Sequence, residues 1–291
     1  MYLKSLRLLF PALGTQKKNA FILLTTVLAL IGLSVLFNEW RGSFYTSIQV
    51  YDTNKIWLGI AAFIGLALIN VVVYGLSSYY QRFVEFGIRE YLYLKFTSGH
   101  KEVPNADQRL QEDTLRFART SLGLLRALID AGIRLPVFLF ILASIAKPWM
   151  VLVVVVYAIL GTIGSRKMAA PLVDLEFQQE AKEAELRRDC IRAVELKTPY
   201  PLLGAIKENW NLLATRNKVL AYYTSFYSQI GVILPFVMLL PMYLSHAILL
   251  GVLFQSSSAI EQVLQSMSIF VESRDLVVDL SMTSRRLGEM E

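Results

Sequence analysis

A chain of 291 residues that is 55% hydrophobic and only 18% charged, with a mean hydropathy of +0.47, has too little charge to cover a water-soluble surface of that size. Several windows of about 20 residues are almost free of charge, the length that crosses roughly 30 Å of hydrocarbon, so composition excludes a soluble enzyme and points to an all-α polytopic membrane protein. The formal net charge of +6 is no nucleic-acid signature, because the basic residues follow the apolar segments; Cys190, the single cysteine, excludes an intrachain disulfide and is no metal site by itself. No metal, cofactor or catalytic residue is expected.

The opening ten residues are followed by Lys17 and Lys18 and then by the first apolar run, which reads as an uncleaved anchor and not as a signal peptide. Six apolar segments follow, at about residues 19–49, 54–98, 112–146, 149–195, 205–244 and 248–290. The links near Tyr51, Lys147 and Ser245 are short and marked by Asp52, Pro148 and Ser245-His246. Those near Pro104 and Pro199 are longer and polar.

The second and fourth segments are too long to be membrane spans alone. At 1.5 Å per residue the second is about 65 Å long, roughly twice the hydrocarbon thickness. Its first half, IWLGIAAFIGLALINVVVYGL, is apolar; its second half carries Arg82, Glu85, Arg89, Glu90 and Lys95. The fourth repeats the pattern, with VLVVVVYAILGTIG before LEFQQEAKEAELRRDCIRAVE. Both are expected to leave the membrane as helices on the side of the two polar links. Basic residues crowd that side, among them Lys17, Lys18, Arg89, Arg109, Arg166, Arg188, Lys207 and Arg286, whereas the other side offers only Arg41, Lys55 and Lys147. The positive-inside rule therefore makes both extensions and both termini cytoplasmic. Six long transmembrane helices with two cytoplasmic helical extensions are the plan of an ABC-exporter-type membrane domain, here a single domain over residues 1–291. Six such helices usually pair with six more, and a homodimer is the economical expectation.

Several motifs lie at the ends of these helices. The first polar link reads NADQRLQEDTLRFAR over residues 105–119 and contains Gln108, Arg109, Glu112, Asp113 and Arg116. The end of the first span offers Asn38, Trp40, Phe44, Tyr45, Ile48 and Gln49 as N-x-W-x3-F-Y-x2-I-Q. After the fourth span, Leu175, Glu176 and Phe177, then Glu183, Ala184 and Arg187, fit L-E-F-x5-E-A-x2-R, with Gly161-Thr162 upstream. Lys207, Asn209 and Trp210 open the fifth helix, and Val278-Asp279-Leu280 with Arg286-Leu287 close the sixth. In order and spacing over nearly the whole chain, these motifs resemble the SbmA/BacA peptide-uptake transporters, and more loosely the ABC half-transporters of peroxisomal and bacterial type.

The resemblance implies proton-coupled uptake of peptides or other bulky hydrophilic solutes across the bacterial inner membrane. It also implies a helix ahead of the six, for which the chain starts too close to the first span, and a proton-coupling carboxylate on helix three, where this chain has Leu122. No G-x4-G-K-[ST] phosphate cradle occurs, so the chain alone is not expected to be an ATPase. It is either a secondary transporter or the membrane subunit of an ABC transporter whose ATPase is on a separate chain. The expected partners are a second copy, membrane lipid, a peptide substrate and, in the second case, that ATPase.

Proton coupling needs titratable groups in a water-lined path. Glu261, Glu272, Asp275 and Asp279 recur at offsets of 11, 3 and 4 residues, which keeps all four on one face of a continuous helix. They form either a cavity-facing acidic stripe or, for the lower ones, a solvated cytoplasmic face. Arg126, Asp130 and Arg134, four apart on helix three, either satisfy one another as an Arg–Asp–Arg clamp or line the cavity. The elbow residues Glu112, Asp113 and Arg116 either compensate the helix dipole or pair with other cytoplasmic helix ends. Trp40, Phe44 and Tyr45 are an interfacial belt or an external gate. His246 reads as a solvated turn residue, and Tyr222, Tyr223, Phe226 and Tyr227 as packing.

Overall fold

The structure is a computed structural model that describes residues 2–98, 106–145, 147–196 and 203–290. The links at Pro104 and Pro199 lie outside these residues, as do the side chains of Gln108, Arg187, Glu272 and Asp275. Every element among the described residues is helical: α1 (Tyr2–Thr15), α2 (Lys17–Gln49), α3 (Thr53–Ser98), α4 (Ala106–Gln108), a π-helical turn (Arg109–Asp113), α5 (Thr114–Ile145), α6 (Pro148–Leu196), α7 (Leu203–Leu244), α8 (Leu250–Glu272) and α9 (Arg274–Gly288).

Five of these helices are long and apolar enough to cross a membrane: α2, α3, the π turn with α5, α6 and α7. The chain is a multi-pass membrane protein. α8 has the length but not the composition, because Gln255, Ser256, Ser257, Ser258, Glu261, Gln262 and Gln265 fall within it. Prolines inside α5, α6 and α7 (Pro136, Pro171, Pro235 and Pro241) are tolerated as they are in membrane helices. The most apolar stretch of α3 buries none of its residues, so Trp57, Leu58 and Leu68 stand exposed.

Two expectations change. A helix does precede the first span: α1 buries Leu8, Leu9 and Ala12 against the rest of the chain. At about 21 Å it is too short to cross a bilayer. The sixth helix is not one continuous rod over residues 248–290 but α8 and α9, joined at Ser273. The hydrogen-bond ladder persists there, Ser273 N–H donating to Ile269 O and Val277 N–H to Ser273 O, so the two helices join without a gap.

Two short turns share one solution. Tyr51 and His246 both take left-handed backbone conformations, with φ of 56° and 59°. At the first, Tyr51 N–H donates to Ile48 O and Asp52 N–H to Ser47 O; at the second, His246 N–H donates to Tyr243 O and Ala247 N–H to Met242 O. Each is a Schellman closure that satisfies the orphan carbonyls of a helix end. Asp52 then accepts the Lys55 N–H at 3.1 Å, and this bond, with the Lys55 ammonium, holds its carboxyl below the usual carboxylate range. Pro148 opens α6, where a missing N–H costs nothing.

The chain forms two compact units, Met1–Val154 with Pro235–Glu291, and Val155–Leu234. The first holds two apolar clusters. One joins α1, α2, α3, α5 and α9 around Ile88, Leu92, Phe117 and Leu287. The other joins α5, the start of α6 and α8 around Phe138, Leu142 and Ile260. The second unit is organised by Tyr157 and Tyr227, whose rings stack at 4.5 Å. Each hydroxyl donates to the other residue's carbonyl, at 2.5 and 3.4 Å. Gly161 and Gly164 leave room for Tyr227 and Tyr223, so these two tyrosines pack as expected, whereas Tyr222 and Phe226 are exposed.

Candidate functional site

The polar residues of the first unit gather at three levels along α5 and α8. At the elbow, the π turn adds a residue to one helical turn and brings Asp113 inward, where its side chain is only 4% exposed. Arg286 Nε of α9 lies 3.1 Å from Asp113 Oδ2 as an ion pair, at an angle that does not make a hydrogen bond. Arg109 donates to Arg286 O at 2.8 Å and pairs with Glu289 at 2.9 Å. Arg116 pairs with Asp279, and Arg89 of α3 donates to Gln111 O at 3.3 Å. Asp113 and Arg116 thus bind the last helix of the described chain, which goes beyond compensation of a helix dipole. Glu112 is exposed.

At the middle level the three ionisable residues of α5 do not close on themselves. Arg134 grips both oxygens of Asp130, at 3.0 and 2.8 Å, and donates to Gln262 Oε1 of α8 at 2.7 Å. Arg126 turns instead to α3 and donates to Gln81 Oε1. Gln81 in turn donates to Glu85 Oε1 at 2.9 Å, and Glu85 pairs with Arg82 at 3.1 Å. Glu85 is nearly buried, at 8% exposure of its side chain. Spacing in the sequence marks Arg126, Asp130 and Arg134 but not Gln81, Glu85 or Gln262. A glutamine or glutamate at the polar end of an amphipathic helix carries no local mark that distinguishes a buried partner from a solvated one.

At the third level α8 lies against α2 through small residues. A methyl group added at Gly251 would run into the Gly42 carbonyl and the Thr46 hydroxyl, and one added at Gly42 would lie 2.6 Å from Gln255 Oε1. Buried Asn38 donates to Gln255 O at 2.8 Å, and Gln49 accepts the Leu250 N–H at 2.6 Å, satisfying a donor at the start of α8. Tyr45 stacks on Phe254 at 3.9 Å, and Trp40 stacks on Phe44 at 4.9 Å while donating to Gly59 O at 2.8 Å. The first-span motif is therefore the seam between α2, α3 and α8.

The acidic stripe divides at the joint. Glu261 is 68% exposed and reaches Arg41 only at 3.9 Å. Asp279 is engaged by Arg116, and the side chains of Glu272 and Asp275 lie outside the described residues. Leu122 is buried in the core cluster that also holds Phe117.

In the second unit, Asn209 donates to Leu175 O at 3.2 Å and to Gln179 Oε1 at 2.8 Å, and Gln179 donates to Glu183 at 2.8 Å. Two motifs far apart in sequence meet there through Gln179, an unspecified position of the first motif. Glu176 is half-buried and Trp210 is 59% exposed.

The model of the SbmA/BacA-like family matches residues 15–291. Among curated proteins the chain is 27% identical to the inner membrane ABC transporter ATP-binding protein YddA of Escherichia coli strain K12, over 92% of this chain and 55% of that protein. It is 30% identical to the chloroplastic ABC transporter D family member 2 of Arabidopsis thaliana, over 91% of this chain and 41% of the relative. An uncharacterized ABC transporter ATP-binding protein of Haemophilus influenzae is 26% identical over 82% of this chain and 47% of its own length. The chain spans about half the length of these relatives.

Proposed function

The chain belongs to the SbmA/BacA-like family, and on that premise we infer that it imports peptides or other bulky hydrophilic solutes across the bacterial inner membrane, coupled to protons and working as a homodimer. In this reading both termini are cytoplasmic and α8 is the sixth membrane-crossing element, its polar composition suited to water and not to lipid. One observation carries the proposal. α8 packs on both α2 and α5, yet Glu261 in its middle is two-thirds exposed and lies next to Gln262, which binds Arg134. An exposed carboxylate at membrane depth is tolerated where it meets water, and such residues mark solute and proton paths. Glu261, Asp130 and Arg134 then line the path, and its acidic residues favour cationic peptides.

A second reading is favoured by the names and lengths of the relatives: membrane subunit of an ABC transporter whose ATPase is on a separate chain. The exposed elbow residues Gln111, Glu112 and Arg119 would be its docking surface.

Uptake of a fluorescent cationic peptide into proteoliposomes separates the two. Uptake driven by an imposed pH gradient, and abolished by a protonophore, is expected. Uptake that needs an added ATPase and ATP, and stops with vanadate, would establish the second reading instead.

A further inference from the structure

One exposed stripe runs across the joint between α1 and α2. Arg7, Phe10, Gly14, Lys17, Phe21 and Leu24 recur every three or four residues and are all exposed. The opposite side is buried, with Leu8, Leu9 and Ala12 on α1 and Leu23 and Val27 on α2 in one apolar cluster. The joint itself is fixed. Gln16 leaves helical geometry with φ −112° and ψ 31°, its side chain rests on Gly87 of α3, and its Oε1 accepts the Asn19 amide at 2.9 Å.

The two halves of the stripe differ in chemistry. Beyond Lys18 the sequence is uncharged as far as Asn38, so Phe21, at 70% exposure, and Leu24 face hydrocarbon. Lys17 and Lys18 stand at the boundary where that stretch begins. Phe10 is 61% exposed and lies roughly 10 Å along the chain from Lys17, within the depth of a headgroup layer. Arg7, Lys17 and Lys18 form no ion pair among the described residues. Unpaired cations beside an exposed aromatic ring, at the point where an apolar helix enters the bilayer, complement a net-anionic headgroup and not a zwitterionic one. A second copy docked symmetrically on this face would bring the same cations together, which like-charge repulsion opposes.

We propose that α1 is an interfacial helix whose exposed face binds headgroups of anionic phospholipids, through Arg7, Lys17 and Lys18, in the leaflet where α2 enters, with Phe10 seated at headgroup level. Because α1 also packs on α3 and α9, bound lipid steadies the end of the molecule that carries the elbow.

The test uses the full chain in nanodiscs, with Cys190→Ser and a polarity-sensitive fluorophore attached through Phe10→Cys. Discs of phosphatidylcholine alone are compared with discs that also contain phosphatidylglycerol. A blue shift that appears with phosphatidylglycerol is expected. Lys17→Gln with Lys18→Gln raises the fraction of phosphatidylglycerol needed for half of that shift by at least roughly fivefold. Lys17→Arg with Lys18→Arg retains the wild-type response, which separates lost charge from misfolding. An aqueous spectrum in both kinds of disc, or a shift indifferent to the lysines, would overturn the proposal. So would cross-linking of residue 10 between two copies regardless of lipid, which would give the face to a second chain.

Discussion

The elbow that opens α5 and the middle of α5 use the same residue types for different purposes. At the elbow, Asp113 is buried and faces Arg286 of α9, the helix whose Leu287 joins Phe117 of α5 in one apolar cluster. About five turns on, Asp130 is held by Arg134 at 30% exposure, and beyond Gln262 stands an exposed glutamate. The first arrangement binds α9 to α5 and leaves little for solvent to reach. The second fixes one arginine and leaves polar groups open. An acid–base pair is a brace where its surroundings exclude water and a candidate transport group where they do not. The burial of the partners, more than their identity, makes the distinction.

The largest effect is expected at the brace. Asp113→Ala removes the charge facing Arg286 and the mostly buried Arg109; because Arg286 is 41% exposed and can turn to water, the cost is about 3 kcal/mol, the low end for breaking a buried pair from one side. Thermal unfolding of the purified protein in detergent should show a large loss of stability. An unchanged midpoint would mean that α9 is not held by this contact.

Next comes the seam of α2 with α8. Gly251→Ala pushes a methyl group into the Gly42 backbone carbonyl, which cannot rotate away as a side chain could. Overpacking of this kind costs about 1–3 kcal/mol and should spread α2 from α8. Accelerated labelling of a cysteine placed at Ser256, which is fully buried, measures the opening against a Cys190→Ser background. Equal labelling with and without the alanine would show that the seam yields elsewhere.

Much of this was legible in the sequence, and the exceptions have physical causes. Helix ends at Gln49 and Leu244 are where the apolar runs and turn residues place them, because Tyr51 and His246 sit at the left-handed position of a helix closure. The extra helix α1 was not legible: its fourteen residues bury one face against α3 and α9, and only tertiary packing makes so short a helix worthwhile. The joint at Ser273 has no Gly or Pro to announce it. At the site, the spacing of Arg126, Asp130 and Arg134 put them on one side of α5, but spacing alone does not say that Arg126 leaves the trio for Gln81. That depends on α3 lying beside α5, a long-range fact that no local pattern encodes.

The middle of α5 gives a smaller change in stability and a larger one in transport. Asp130→Asn keeps the shape but removes the charge opposite Arg134, at a cost of about 1–2 kcal/mol in these half-buried surroundings. If the cluster lines the path, peptide uptake falls at least roughly tenfold while expression and folding stay near normal. Uptake at the wild-type rate would make the cluster a second brace, and the contrast between the elbow and the middle of α5 would disappear.

The smallest effect on stability separates the two parts of the acidic stripe. Arg116 and Asp279 are each partly exposed, at 48% and 32%, and Glu261 is more exposed still. Exposed pairs contribute about 0–1 kcal/mol because water already solvates both partners. A double-mutant cycle of Arg116→Ala and Asp279→Ala should therefore return a coupling within that range. Glu261→Gln, with its nearest cation at 3.9 Å, should leave the unfolding midpoint unchanged. The two sites then part in function. The Arg116 and Asp279 changes loosen α9 and lower uptake equally at every pH. Glu261→Gln removes a titratable group from the proposed path, so uptake loses its response to an imposed pH gradient. Normal uptake with normal pH dependence in Glu261→Gln would remove Glu261 from the path and leave the exposed face of α8 as a surface for solute and not for protons.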